Sequence, residues 1–210
     1  MMFCVLRMSA TGVLLLALLA IHSFTPGDAH RWLHRYFRPR RCVLQTVNAV
    51  CRVAADPGTT EQVSGTIRLS QTLNYCTYRP TPLRIDLELQ GFMTNDTVVL
   101  HGFRAHTLGD LSNGCASLGE HYNPFGTNHG GPNCTVGHVG DFGNIMEEAD
   151  GTVNTTITDT VARLFGTNSL IGRSLVIRGA TDDLGDAGPR VGCCVIGRGE
   201  SPPTTVVWGK

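Results

Sequence analysis

Four side chains in one glycine-rich stretch carry the strongest chemical signal in the sequence. His121, His129, His138 and Asp141 all fall within residues 107–144. Three imidazoles and one carboxylate make a closed tetrahedral donor set, the kind that suits zinc in a structural role. A lone loop histidine is usually just solvated. Three in one loop, with an aspartate three residues after the last, point to an ion. Gly119, Gly126, Gly130, Gly131, Gly137 and Gly140 let the backbone fold tightly around it. A loop of this length is otherwise uncommon inside a compact domain, so something must tie it down.

The elements that have to position this loop read as short strands. Residues 47–53, 63–69 and 83–89 alternate apolar and polar with period two, and 98–106, 151–157 and 174–178 are strand-like as well. Turn signals separate them at Asp56-Pro57-Gly58, Thr94-Asn95-Asp96, Asp150-Gly151 and Gly166-Thr167-Asn168. No window offers an amphipathic helix of four turns. The expectation is an all-β, antiparallel sandwich or Greek-key barrel carrying one long zinc-binding loop.

Composition narrows the class further. The chain has 210 residues and is 41% apolar, which is too apolar for disorder and enough for one sizeable domain. Lys plus Arg and Asp plus Glu both number 17, so no bulk charge attracts nucleic acid. Eight cysteines are unusual in a reducing cytosol unless they bind metal or do redox chemistry. Arg7 precedes an apolar run at residues 13–21, too short to span a bilayer comfortably, and Gly27 and Ala29 are small residues before His30. Residues 1–29 therefore read as a signal peptide, and the protein as secreted or held at the cell surface. Its removal takes Cys4 and leaves an odd cysteine count. Three sequons, at Asn95, Asn133 and Asn154, agree with the secretory route as glycosylation sites.

Residues 30–46 form a separate segment. Its first twelve residues hold five arginines, two histidines and three aromatics, whereas from residue 47 onward 11 Lys and Arg face 16 Asp and Glu. The neutral total thus hides a basic arm on an acidic domain. The arm reads as a contact for an anionic glycan or membrane surface, as a propeptide cut after Arg38-Pro39-Arg40-Arg41, or as a linker. The body is expected over 47–200 and a tail over 201–210.

Longer motifs carry a family resemblance. Gly102-Phe103-Arg104-Ala105-His106, the run from Gly114 to Pro124, and His129-Gly130-Gly131-Pro132 resemble the copper/zinc superoxide dismutases. So do His138-Val139-Gly140-Asp141, Ile171-Gly172-Arg173-Ser174-Leu175, Asp182-Asp183-Leu184-Gly185 and Cys194-Val195-Ile196-Gly197. The resemblance implies a Greek-key barrel in which His121, His129, His138 and Asp141 hold zinc. It implies a Cys115–Cys193 disulfide, with Cys194 the competing partner, and leaves Cys42, Cys51, Cys76, Cys134 and Cys194 unassigned. Arg190 falls at the active-site arginine position, and Asp182 at the aspartate linking the two metal positions.

The copper position departs from the family pattern. Four histidines hold copper there; this chain keeps His106 and His121 but places Arg104 and Arg178 at the other two positions. A guanidinium stays protonated, offers no lone pair and repels a dication. Only residues 186–189 separate Gly185 from Arg190, where the family has a long charged loop. The expectation is zinc without copper, and a protein that acts by binding a partner: an active superoxide dismutase, its chaperone, or a second copy in a homodimer. The alternative is residual dismutase activity. Arg104, Arg178 and Arg190 are expected to converge on the copper cavity, either with one of them paired to Asp182 or as an anion site.

Overall fold

The computed structural model describes residues 41–93, 99–131, 136–182 and 188–208. The leader, the arm up to residue 40, Asn95, Asn133 and Cys134 lie outside them. By contact the chain divides into Cys42–Val207 and a second unit made of Met1–Arg41 with Trp208–Lys210; the fold described here is that of the first.

Alternation decides the first half of the sheet. In β4 (Leu83–Gln90), Leu83, Ile85, Leu87 and Leu89 are buried while Arg84, Glu88 and Gln90 face water. It pairs antiparallel with β2 (Ser64–Asn74) on one side and β8 (Thr152–Asp159) on the other. The long strand β1 (Arg41–Ala55) lies on the far side of β2. Gly65 has φ +145° and its backbone approaches Glu88 so closely that a Cβ would sit 2.1 Å from the Glu88 carbonyl oxygen. Only glycine fits there.

The second half contains β5 (Val99–His106), β7 (Asp141–Glu147), β9 (Ser174–Arg178) and β10 (Arg190–Val195). The hydrogen-bonded order runs β7-β5-β9-β10-β1-β2-β4-β8, all antiparallel. The neighbours β5–β9 and β4–β8 are distant in sequence, as a Greek-key connection requires. The outermost strands β7 and β8 are joined by the turn at Glu148–Gly151, so the barrel is nearly closed. Among the described residues the only helix is one 3-10 turn, Ala116–Leu118, and none is long and apolar enough to cross a membrane. The fold is the all-β barrel expected from the strand pattern.

Smaller strands depart from the expectation. β3 (Arg79–Pro80) pairs with β2, and β11 (Gly197–Arg198) and β12 (Thr205–Trp208) pair with β1. β1 starts at Arg41, inside the segment read as an arm, and its register with β2 continues to Leu44 opposite Asn74. The Cys42–Cys76 disulfide clamps that extension. β6 (Ser112–Cys115), β7 and β10 were not visible as period-two runs. β10 and most of β7 are covered on both faces, so their sequences do not alternate.

Candidate metal centre

The site begins with a register row across the second half of the sheet. On β5, Phe103 and Ala105 point into the main core, so Arg104 and His106 share the opposite face. Asp141 of β7 lies opposite Arg104, Val176 of β9 flanks it on the other side, and Cys193 of β10 lies opposite Val176. In an ordinary sheet that face would be wet. Here the long loop covers it, and Cys115, Leu118, Val176 and Cys193 form a small separate core beneath the cover.

The loop is stitched to β5 by its backbone. Tyr122 N–H donates to Ala105 C=O (2.9 Å), Ala105 N–H to Gly140 C=O (2.9 Å), and Gly140 N–H to Tyr122 C=O (3.0 Å). A Cβ on Gly140 would lie 2.4 Å from the Ala105 oxygen, so this three-way crossing requires glycine. The other end is held by the Cys115–Cys193 disulfide across 78 residues, by Cys115 N–H donating to Asp56 Oδ1 (2.7 Å), and by Arg190. The guanidinium of Arg190 donates to the Cys115 and Gly119 carbonyls. Cys51 pairs with Cys194, which leaves Cys193 as the partner of Cys115.

The stitching brings His121, His129, His138 and Asp141 together. One ligand atom from each lies within 4.8 Å of all the others. Tetrahedral zinc with bonds of ~2.0 Å needs donors ~3.3 Å apart. The donor chemistry fits. His138 Nδ1 is buried without a hydrogen-bond partner, and the Asp141 side chain is 2% exposed. Asp141 Oδ2 accepts from His129 Nδ1 (2.8 Å), His138 N–H (2.9 Å) and Gly130 N–H (3.1 Å).

Arg104 does not point into open cavity. Its side chain is 1% exposed and reaches sideways to Asp141 Oδ1 (3.3 Å), to Asp182, and to His129 Nε2 (2.9 Å). Asp182 is fixed by reciprocal hydrogen bonds with Asn144: its N–H donates to Asn144 Oδ1 (2.7 Å), and Asn144 Nδ2 donates to its carbonyl (3.0 Å). The expected pairing of Asp182 with an intruding arginine is what the structure contains. Arg178 and Arg190 are direct cross-strand neighbours, like charges that raise each other's cost. Burial first, and Arg178 next, lower the pKa of Arg190.

His106 lies beside His121, ring centroids 5.1 Å apart and edge to face. Its Nδ1 donates to the Gly119 carbonyl (2.8 Å), which leaves Nε2 as a lone-pair nitrogen, buried and without a partner. Burial pushes His106 down to about 4 against the opposing pull of that hydrogen bond, and Arg190, Arg178 and Arg104 add to the fall. Burial and then Arg104 push His121 down to about 3. Both rings are therefore neutral, as metal ligands must be.

One buried pair escaped the sequence reading. His101 Nδ1 donates to the Arg178 carbonyl (2.9 Å), and Nε2 meets Glu147 Oε2 (2.9 Å) under the ring of Phe92. It sets the backbone of Arg178. The only signal was a histidine and a glutamate in strands otherwise rich in apolar residues. Asn154, the one sequon asparagine among the described residues, is exposed on β8 opposite Glu88.

Comparison with known proteins agrees with this geometry. Residues 63–196 match the family model for copper/zinc superoxide dismutase. The chain belongs to the copper/zinc superoxide dismutase family. An extracellular Cu-Zn superoxide dismutase of Brugia pahangi is 38% identical over 186 residues, 77% of this chain and 86% of that protein. The Cu-Zn superoxide dismutase of Neurospora crassa is 40% identical over 162 residues, covering 72% of this chain and 97% of its own length. That of Candida glabrata is 41% identical over 146 residues, covering 64% and 90%.

Proposed function

We propose that this chain is a secreted member of the family that keeps zinc, has given up copper, and works by binding a partner rather than by dismutation. The observation that carries the reading is the place of Arg104. At a position where the family's copper ligand is expected, a buried guanidinium is neutralised by Asp141 and Asp182. Zinc would be held by His121, His129, His138 and Asp141, where it supplies loop rigidity and no redox chemistry. The residues present do not fit copper in the family's manner, since Arg104 and Arg178 offer no lone pair. Dismutation needs a metal that alternates oxidation states, so no such step is assigned here. The likeness to an extracellular relative and three disulfides support secretion.

The partner fits best as a protein with the same fold, either an active superoxide dismutase or a second copy. Leu108, 49% exposed, offers an apolar contact for such a partner. A second reading, residual dismutase activity through His106 and His121, is favoured by the unpartnered Nε2 of His106. One experiment separates them. Copper-loaded wild-type protein is expected to show no dismutase activity, and the double variant Arg104→His/Arg178→His to retain copper after dialysis. Activity in the wild type would overturn the proposal.

A further inference from the structure

The hydrogen bonds around His129 admit two arrangements, and Arg104 decides between them. Arg104 Nη1 lies 2.9 Å from His129 Nε2 and 3.4 Å from Nδ1; the shorter contact makes Nε2 the acceptor and puts the proton on Nδ1. That proton is donated to Asp141 Oδ2 at 2.8 Å. The His129 ring and Asp141 are thus partnered without an ion, and the guanidinium supplies positive charge beside two buried carboxylates, Asp141 and Asp182.

Zinc binding demands the opposite tautomer. Nδ1 is the nitrogen that faces Asp141, so a metal shared with that carboxylate must find the lone pair there. The proton then belongs on Nε2, where it meets a guanidinium N–H at 2.9 Å, donor against donor. A second acceptor is already in place: Asp182 Oδ1 lies 3.3 Å from the same Nε2. The ring changes partner from Arg104 to Asp182 when Arg104 withdraws. Asp141 must likewise exchange Arg104 for the metal, since its Oδ1 now lies 3.3 Å from the guanidinium.

We infer that Arg104 is the affinity-setting residue of the metal centre: its guanidinium holds His129 and Asp141 in a closed, metal-free arrangement and competes with zinc for them. This rests on the zinc reading above and adds a cost to it. The loop stays ordered when the ion leaves, and the ion leaves more easily than four good donors alone would allow.

The test uses the full chain and zinc alone as probe. Zinc affinity is measured by competition with a chromophoric chelator, and melting is recorded for the metal-free and zinc-loaded forms. Arg104→Met removes both charge and donor; Arg104→Gln, which removes only the charge, is measured in the same way if the first fails to fold. The variant is expected to bind zinc about tenfold more tightly or better, a change of the size seen when groups around metal ligands are altered. Its metal-free form should melt lower than wild type, while the zinc-loaded form stays close to it. Equal zinc affinity and equal metal-free melting would overturn the inference. If neither protein takes up zinc, the zinc reading fails, and the metal-free melting alone decides whether Arg104 is the internal cation: a fall supports it, no change overturns it.

Discussion

The two halves of the barrel are built from the same period-two strand and end up with opposite chemistry. β1, β2, β4 and β8 bury an apolar face and leave the other to water, with charge pairs such as Arg68–Glu88 on the wet side. β5, β7, β9 and β10 bury most of both faces, Leu100 and Met146 excepted, and the long loop lies over the face that carries Arg104 and His106. That second burial puts Arg104, His106, Asp141 and Ser174 at 0–6% exposure. A polar group costs little on the first half and must find a partner on the second. The site is therefore a product of the cover and of where the register places polar residues beneath it.

This contrast can be broken at several points. The largest expected effect is in the apolar half: Ile85→Ala, at a fully buried position, should lower stability by about 2–5 kcal/mol. Chemical denaturation with and without zinc should give the same loss; a loss that depends on zinc would mean the halves are not separable. Next, Cys115→Ser with Cys193→Ser opens the 78-residue loop and should cost about 2–4 kcal/mol by the chain-entropy estimate. Unlike the first change, this one should also weaken zinc binding, read by the same titration.

A smaller effect follows from pH. The unfolded chain protonates His106 near ~6.5, whereas the folded chain resists until about 4. Stability from this ring is therefore full above the unfolded value and is lost as pH falls toward the folded one. His121 acts in the same direction down to about 3. Metal-free protein should melt progressively lower through that window, and His106→Gln should flatten part of the slope; an unchanged slope would contradict the burial assigned to the ring. The smallest effect is expected on the wet side, where both partners of Arg68–Glu88 are more than half exposed. Arg68→Ala should shift stability by under ~1 kcal/mol, and a larger change would show that this face is not simply solvated.

What was legible in the sequence divides along the same line. β4 announces itself because one face is wet and the other dry, and β9 was readable over its whole length, 174–178. β7 and β10 were hidden because burial on both faces erases alternation, and β10 holds two adjacent cysteines that serve different disulfides. The four-donor cluster was readable from residue types alone, since three histidines and an aspartate in a glycine-rich loop have few other uses. The direction taken by Arg104 was not. The family resemblance implies a copper-ligand position for it, but only the cross-strand register with Asp141 and the ion pair between them show that it turns toward that carboxylate. His101 and Glu147 are 46 residues apart and joined only by the β5–β7 pairing.

The most direct measurement is metal content per chain after purification and exposure to copper and zinc together, followed by dialysis. The expected result is about one zinc per chain and no retained copper. About one copper per chain alongside zinc would contradict it, because His106 and His121 would then have found the further ligands that Arg104 and Arg178 cannot supply.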